Sequence, residues 1–291
     1  MFILKLPRLI FGISIACLGI RHIIADYISA TTPPTDSFIS ATFMFTGFLY
    51  QVGMVALSAA GLCNFKPKFV FSSLGVLILV WTAVRHLPLF IADITDPAEL
   101  NAMGMALATA GGALIVADSF KNIPMLTRTG SRKFATIPSP GRFLYGVPMV
   151  VFGVQHFMYA AFIASLIPTW VPGNYFLAYI TGLALVAAGV SIIVEWMNRW
   201  SSLCLGSMIM LFIAILHIPA VIAYPRDEYQ WTSLFQALAI GMSALVLYRN
   251  SSKKSAARTN DSRRPKEPSH AIAKAKKHFH QPRPRLKDLN L

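Results

Sequence analysis

Apolar stretches separated by short polar breaks follow one another along most of the chain. A helix needs about 20 apolar residues to cross roughly 30 Å of hydrocarbon, and the stretches are of this length. Their residues are apolar on all sides, whereas the strands of a membrane barrel alternate apolar and polar residues. The pattern predicts an all-α membrane protein with eight transmembrane helices, at about residues 8–29, 39–63, 69–92, 101–119, 142–167, 174–197, 202–224 and 230–248.

Composition supports a membrane protein, and the placement of charge predicts its orientation. The chain is 55% hydrophobic and only 13% charged, and its mean hydropathy is +0.56, which is far more apolar than a soluble domain. Basic residues gather at both termini and in the breaks after the second, fourth and sixth predicted helices, while most acidic residues lie in the other breaks. The positive-inside rule then predicts that both termini are cytoplasmic.

The C-terminal segment, residues 250–291, carries most of the net charge of +14. Because it is polar, basic and rich in proline, it cannot bury a core, and the sequence predicts a disordered cytoplasmic tail. We expect this tail to bind anionic lipid headgroups. We expect no nucleic acid as a partner, because no folded nucleic-acid-binding module accompanies the charge.

Comparison of the chain with itself shows an internal repeat. Residues 8–26 match residues 142–160, and the later stretches match with small gaps, through the pairs Arg8/Arg142, Gly12/Gly146, Gly19/Gly153, His22/His156, Thr46/Thr181, Gly47/Gly182, His86/His217 and Pro88/Pro219. Because each copy has an even number of crossings, the copies should be parallel tandem four-helix bundles. The predicted organisation is a first four-helix unit, a cytoplasmic linker, a second unit and the tail, at residues 1–120, 121–141, 142–249 and 250–291.

Histidines within the apolar stretches occupy matched positions in the two copies. They form two pairs, His22 with His156 and His86 with His217. At a rise of about 1.5 Å per residue all four should lie at one depth, in the outer third of the bilayer. The sequence therefore predicts a pocket lined by histidines near the outer leaflet.

Charged residues accompany the histidines of the first copy only. Arg21 adjoins His22, Asp26 lies four residues beyond His22 on the same helix face, and Arg85 adjoins His86. A charge at this depth needs a partner, so we expect Asp26 to pair with Arg21 or Arg85. We take all three as candidate ligand-binding residues with the four histidines. The second copy replaces them with Gln155, Ala160 and Leu216, and offers Tyr159 and Tyr224 as polar partners.

Several roles are open to the histidines. They can join neighbouring helices by hydrogen bonds, bind a small amphipathic ligand such as a quinone or a lipid, or relay protons in transport. A fourth role is ligation of haem b by His22 and His86, since haem iron accepts two imidazoles. We expect no other metal site, because Asp26 alone joins the histidines as a carboxylate near ligand spacing, and the three cysteines are scattered.

Short motifs in the second copy resemble those of a known family. "GRFLYG", "FGVQHF", "IPTWVPG", "YITG" and "LHIP" resemble segments of the DoxX and DoxX-like membrane proteins. The resemblance covers residues 142–248 and, through fewer positions, residues 8–120. It implies four-helix units in a bacterial inner membrane, and a role beside thiosulfate, quinone or other oxidoreductase systems. It carries over no catalytic residues, and the absence of a cysteine pair speaks against direct sulfur chemistry.

The sequence therefore predicts an integral inner-membrane subunit, rather than a self-sufficient enzyme, that holds a quinone-like ligand for an oxidoreductase partner. The alternatives are a proton-coupled transporter of a small solute, with His22, Asp26 and His86 as its relay, and a non-catalytic membrane scaffold. These three functions make different demands on the histidines, since only the scaffold would tolerate their loss.

Overall fold

The structure is a computed structural model that describes residues 6–30, 38–120 and 139–263, with side chains described for residues 6–25, 44–120 and 139–252. Residues 121–138 of the predicted linker, residues 264–291 of the predicted tail and the side chain of Asp26 lie outside the described residues. All contacts given below lie within one compact unit that ends at Ser252.

Within these described ranges the regular structure is helical, without strands, which confirms the predicted all-α class. Seven helices or helix runs are long and apolar enough to cross a membrane, or eight if one sharply bent pair counts as a span. The helices are α1 (Leu6–Ala30), α2 (Phe38–Leu62), α3 (Pro67–Trp81), α4 (Leu87–Ala92), α5 (Pro97–Asp118), α6 (Pro140–Met158), α7 (Ala160–Leu166), α8 (Asn174–Val194), α9 (Asn198–Phe212), α10 (Ile218–Ala223) and α11 (Glu228–Arg263).

Two predicted segments differ from the structure. The apolar stretch at 142–167 is not one straight helix, because the chain turns by 96° between α6 and α7 at Tyr159. Apolar length cannot distinguish a straight span from a helix that ends and turns. Residues 250–263, predicted to be disordered, continue α11 as helix. Extending a nucleated helix costs little, and this stretch contains Lys and Ala, which favour helix.

A π-helical turn interrupts the third span of each sequence copy. One covers Thr82–His86 between α3 and α4, and the other covers Ile213–His217 between α9 and α10. Each ends at the histidine of a His-x-Pro pattern, and each helix continues beyond the proline. A π turn contains one extra residue, which changes the direction in which the following side chains project. The two turns are 131 residues apart, the same offset that separates His86 from His217.

Features at the helix ends recur at this offset. Asp96 accepts a hydrogen bond from the N–H of Ala98 at the start of α5, and Asp227 accepts one from Tyr229 at the start of α11, each at 2.9 Å. The α2–α3 and α8–α9 connections each contain two non-glycine residues with left-handed backbone: Asn64 and Lys66, and Glu195 and Met197. We call the helix ends near residues 93–96 and 224–227 the acidic end, and those near 63–66 and 195–197 the basic end.

Helices α5 and α11 form the centre of the bundle. Inside the structure, 61% of the α5 span and 56% of the α11 span are buried, against 22–39% for the other five spans. The two helices approach at Gly112 and Ser243, where a β-carbon added to Gly112 would lie 3.1 Å from that of Ser243. Helix α6 also contacts α11, through a hydrogen bond of 2.8 Å from the Tyr145 hydroxyl to the Ile240 carbonyl. Small residues allow the helix backbones to approach this closely. Close approach matters between membrane helices because their packing depends on van der Waals contacts and hydrogen bonds, and not on burial from water.

Candidate functional site

Arg21 of α1 forms an ion pair with Glu228 of α11. The guanidinium Nη2 lies 2.7 Å from the Glu228 carboxylate, and the two side chains are 28% and 32% exposed. Glu228 stands in the first turn of α11, where the helix dipole favours a negative charge. The predicted pairing of Asp26 with Arg21 or Arg85 stays a prediction, because the side chain of Asp26 lies outside the described residues. The described partner of Arg21, Glu228, is 207 residues away in the sequence.

His22 extends this contact between α1 and α11. Its Nε2 lies 3.0 Å from the Thr232 hydroxyl. The Trp231 ring lies 5.3 Å from the Arg21 guanidinium carbon and stacks on Phe235. Thr232 follows Glu228 by four residues, so both project from one face of α11. We call Arg21, His22, Glu228, Trp231 and Thr232 the α1–α11 polar cluster.

The second charged contact joins His86 to Glu99. His86 ends the first π turn, and its Nδ1 lies 2.7 Å from a carboxylate oxygen of Glu99 in the first turn of α5. Both side chains are mostly buried, at 20% and 15% exposure. Arg85, the neighbour of His86, is exposed and forms no hydrogen bond or ion pair with the described residues. The structure thus places His86, but not Arg85, in a polar contact.

The histidines of the second copy have different surroundings. His156 Nδ1 lies 2.8 Å from the Phe152 carbonyl of its own helix, and because a carbonyl only accepts, Nδ1 carries the proton. The adjacent Gln155 donates to the Pro97 carbonyl of α5 at 3.3 Å. His217 is half-buried and makes no hydrogen bond within the described part of the chain. Thus the structure shows four separate histidine environments.

The four histidines lie in different surroundings, and the pocket that the sequence predicts for them stays a prediction. A surface groove of about 190 Å³ between α6 and α8 is apolar and is lined by Phe157, Phe176, Tyr179, Ile180 and Leu183. Among the described residues, no three histidine, cysteine or acidic side chains approach closely enough to hold a metal ion. His22 contacts Thr232 on α11 and His86 contacts Glu99 on α5, and ligation of one haem by both histidines stays a prediction.

A buried arginine lies at the basic end, where the sequence indicated only positive charge. Arg142, which is 5% exposed, forms an ion pair of 3.0 Å with Glu195, and the Asn198 amide oxygen also faces it when the amide is turned toward the guanidinium. Its repeat match, Arg8, donates instead to the Ser119 carbonyl at 2.7 Å. These contacts join helix ends in the structure.

The sequence does not reveal the acidic partners of the site. Glu99 and Glu228 lie in breaks that the sequence marks only as acidic, although both stand in the first turn of a helix. That position was the available signal, since a carboxylate in a first turn lies close to the ends of neighbouring helices. Thr232 carried no signal, because a single threonine in an apolar stretch is common.

The chain was also compared with known proteins. No family model, no curated protein and no solved structure matches it. The resemblance to DoxX-like proteins therefore stays a prediction, based on the short motifs given above.

Proposed function

We propose that this protein is an inner-membrane subunit of DoxX-like type, made of two tandem four-helix bundles with both termini in the bacterial cytoplasm. Support for the duplication comes from features that share one offset of 131 residues. The two π turns, the aspartates at the starts of α5 and α11 and the left-handed loop residues all recur in this way. The distribution of basic residues supports the orientation.

We propose that the α1–α11 polar cluster binds a small amphipathic molecule, quinone-like in its headgroup, for an oxidoreductase partner. The observation that carries this proposal is the adjacency of two polar contacts, Arg21 with Glu228 and His22 with Thr232, within spans apolar enough to cross a membrane. Polar groups at membrane depth are costly, and they commonly mark sites of function. Both charged side chains are about one-third exposed, so a ligand can reach them from the bilayer.

The chemistry of the cluster suits a quinone headgroup. A quinone presents two carbonyl oxygens on a flat apolar ring, and when bound it supplies the capacity to accept electrons and protons. Arg21, His22 and Thr232 carry hydrogen-bond donors for such oxygens. Trp231 offers a flat apolar face beside them. The remaining surface of α1 and α11 is apolar and suits an isoprenoid chain.

Binding of a short-chain ubiquinone to the full-length protein in lipid nanodiscs tests this function. His22→Ala and Thr232→Val should each weaken binding about fivefold, since each removes a hydrogen-bonding group worth about 1 kcal/mol. The matched control is Arg85→Gln, because Arg85 is exposed and makes no contact with the described cluster. If all of these proteins bind the quinone equally, or none binds it, the proposed function is wrong.

The His86–Glu99 contact favours proton-coupled transport as a second candidate function. An imidazole and a carboxylate 2.7 Å apart can share and pass a proton. Flux measured in proteoliposomes should then collapse in Glu99→Gln and when the pH gradient is removed. Absence of both quinone binding and flux would leave the third function, a scaffold that acts through its basic tail.

A further inference from the structure

The basic end carries a pair of loops with the same design. They connect α2 to α3 and α8 to α9, and six successive positions correspond at the 131-residue offset. Each loop, together with the first turn of the helix that follows it, has an aromatic residue, a cation and a second aromatic residue in the same order. They are Phe65, Lys68 and Phe69 in the first, and Trp196, Arg199 and Trp200 in the second. We call these the first and second aromatic loops.

The backbone turns each first aromatic residue away from the protein. Phe65 lies between Asn64 and Lys66, whose φ angles are 60° and 37°, and Trp196 lies between Glu195 and Met197, at 58° and 46°. Non-glycine residues adopt this left-handed conformation at a cost of about 1–2 kcal/mol each. Because both loops have it at the same two positions, we infer that the projection of the aromatic residue depends on it. The result is a set of aromatic rings with high exposure, from 56% for Trp200 to 70% for Trp196.

The cations of the loops are not neutralised by the part of the chain that the structure describes. Lys66, Lys68 and Arg199 form no ion pair with any of the described residues. Arg199 instead lies 5.4 Å from the Trp200 ring and 5.7 Å from the Tyr248 ring. The single carboxylate of either loop, Glu195, pairs with the buried Arg142. Each loop therefore presents uncompensated positive charge among exposed rings.

The ends of the adjoining helices add to this charge. Neither α3 nor α9 has a side-chain hydrogen bond that caps its N-terminus. Uncapped N–H groups and the positive end of the helix dipole favour an anion beside them. Aromatic rings with basic residues are the chemistry of a membrane interface, where rings insert among headgroups and cations meet phosphates.

We propose that the two aromatic loops are paired binding sites for anionic phospholipid headgroups, one loop on each sequence copy. The second loop binds the lipid phosphate through Arg199 beside Trp200 and Tyr248, and the first binds it through Lys66 and Lys68. The exposed rings hold each loop at the depth of the headgroups. These sites use residues outside the basic tail and outside the α1–α11 polar cluster.

Mass spectrometry of the intact full-length protein, released from an equal mixture of phosphatidylglycerol and phosphatidylcholine, tests the proposal. We expect the protein to retain phosphatidylglycerol preferentially. Arg199→Gln should lower that preference about fivefold at one site, the effect of about one cation at the membrane surface. Lys66→Gln with Lys68→Gln should lower the preference at the other site. The matched control is Arg226→Gln, an exposed arginine at the acidic end, which should change nothing.

Two outcomes would overturn the proposal. One is an unchanged preference in all loop variants together with its loss when residues 264–291 are deleted, because the tail would then hold the lipid. The other is equal retention of the two lipids by the native protein, together with crosslinking of a photoreactive residue at position 196 to another protein, which would make the loops a protein-docking surface.

Discussion

Two helix interfaces at matched positions, α1–α11 and α5–α6, differ in what holds them together. Helix α1 matches α6, and α11 matches α5, in the internal repeat. The α1–α11 interface contains the ion pair of Arg21 with Glu228. At the α5–α6 interface Gln155, the match of Arg21, donates only to a backbone carbonyl, that of Pro97.

Close packing of glycine distinguishes the α5–α6 interface. A β-carbon added to Gly111 would lie 2.5 Å from the backbone nitrogen of Tyr145 and 2.7 Å from the carbonyl oxygen of Gly141. Matched pairs of helices can therefore be held by shape in one place and by charge in another. The charged interface is the one that contains side chains able to donate and accept hydrogen bonds.

Gly111→Ala should cause the largest loss of stability. The added methyl meets backbone atoms of α6, which can move only if the helices separate, so we expect the free energy of unfolding to fall by about 3 kcal/mol. Unfolding in mixed detergent and SDS measures this. The control is Gly47→Ala, whose methyl would meet the Trp81 ring at an ordinary 3.4 Å. Equal losses in both variants would show that α5–α6 is not held by close packing.

Arg21→Gln and Glu228→Gln should each cost less, about 1.5 kcal/mol. Each removes one half of the ion pair, and because both side chains are partly exposed, solvent reduces the effect. The double variant should recover about 1 kcal/mol relative to the sum of the two single losses. Additive losses in the same unfolding assay would mean that the two charges do not interact.

His22→Ala and His156→Ala should separate the two interfaces by a smaller difference. His22 joins two helices through Thr232, so we expect its loss to cost about 1 kcal/mol. His156 donates to a carbonyl of its own helix, and that carbonyl keeps its helical hydrogen bond in the variant. We therefore expect a loss below about 0.5 kcal/mol for His156. The reverse order of losses would contradict the assignment of these contacts.

The sequence predicted the spans well because apolar length decides where a helix crosses. Most described helices begin and end within a few residues of the expected positions, as α2 and α5 show. The turn at Tyr159 was missed because no glycine or proline marks it. The π turns were missed for a different reason. The extra residue of a π turn shifts the spacing of apolar and polar residues along a helix, but these helices are apolar on all sides and have no such spacing to shift.

The candidate site was predicted only in part, for a reason of distance along the chain. Local spacing on one helix can suggest Asp26 as a partner of Arg21, but it cannot reveal Glu228, which lies 207 residues away in sequence. The repeat selected His22 and His86 as residues of interest, and both make polar contacts with other helices. Which helix supplies the partner depends on the packing of α1 against α11 and of the first π turn against α5.

Transfer of the ion pair to the second interface tests whether the matched positions are enough to form it. Gln155 already reaches the Pro97 carbonyl at 3.3 Å, and Pro97 occupies the position that matches Glu228. The double variant Gln155→Arg with Pro97→Glu should therefore form a new pair at the start of α5, where the helix dipole favours the carboxylate. We expect the double variant to be about 0.5 kcal/mol more stable than the sum of its single changes predicts. A coupling of zero would mean that the charged interface requires the particular separation of α1 and α11, and not only the matched positions.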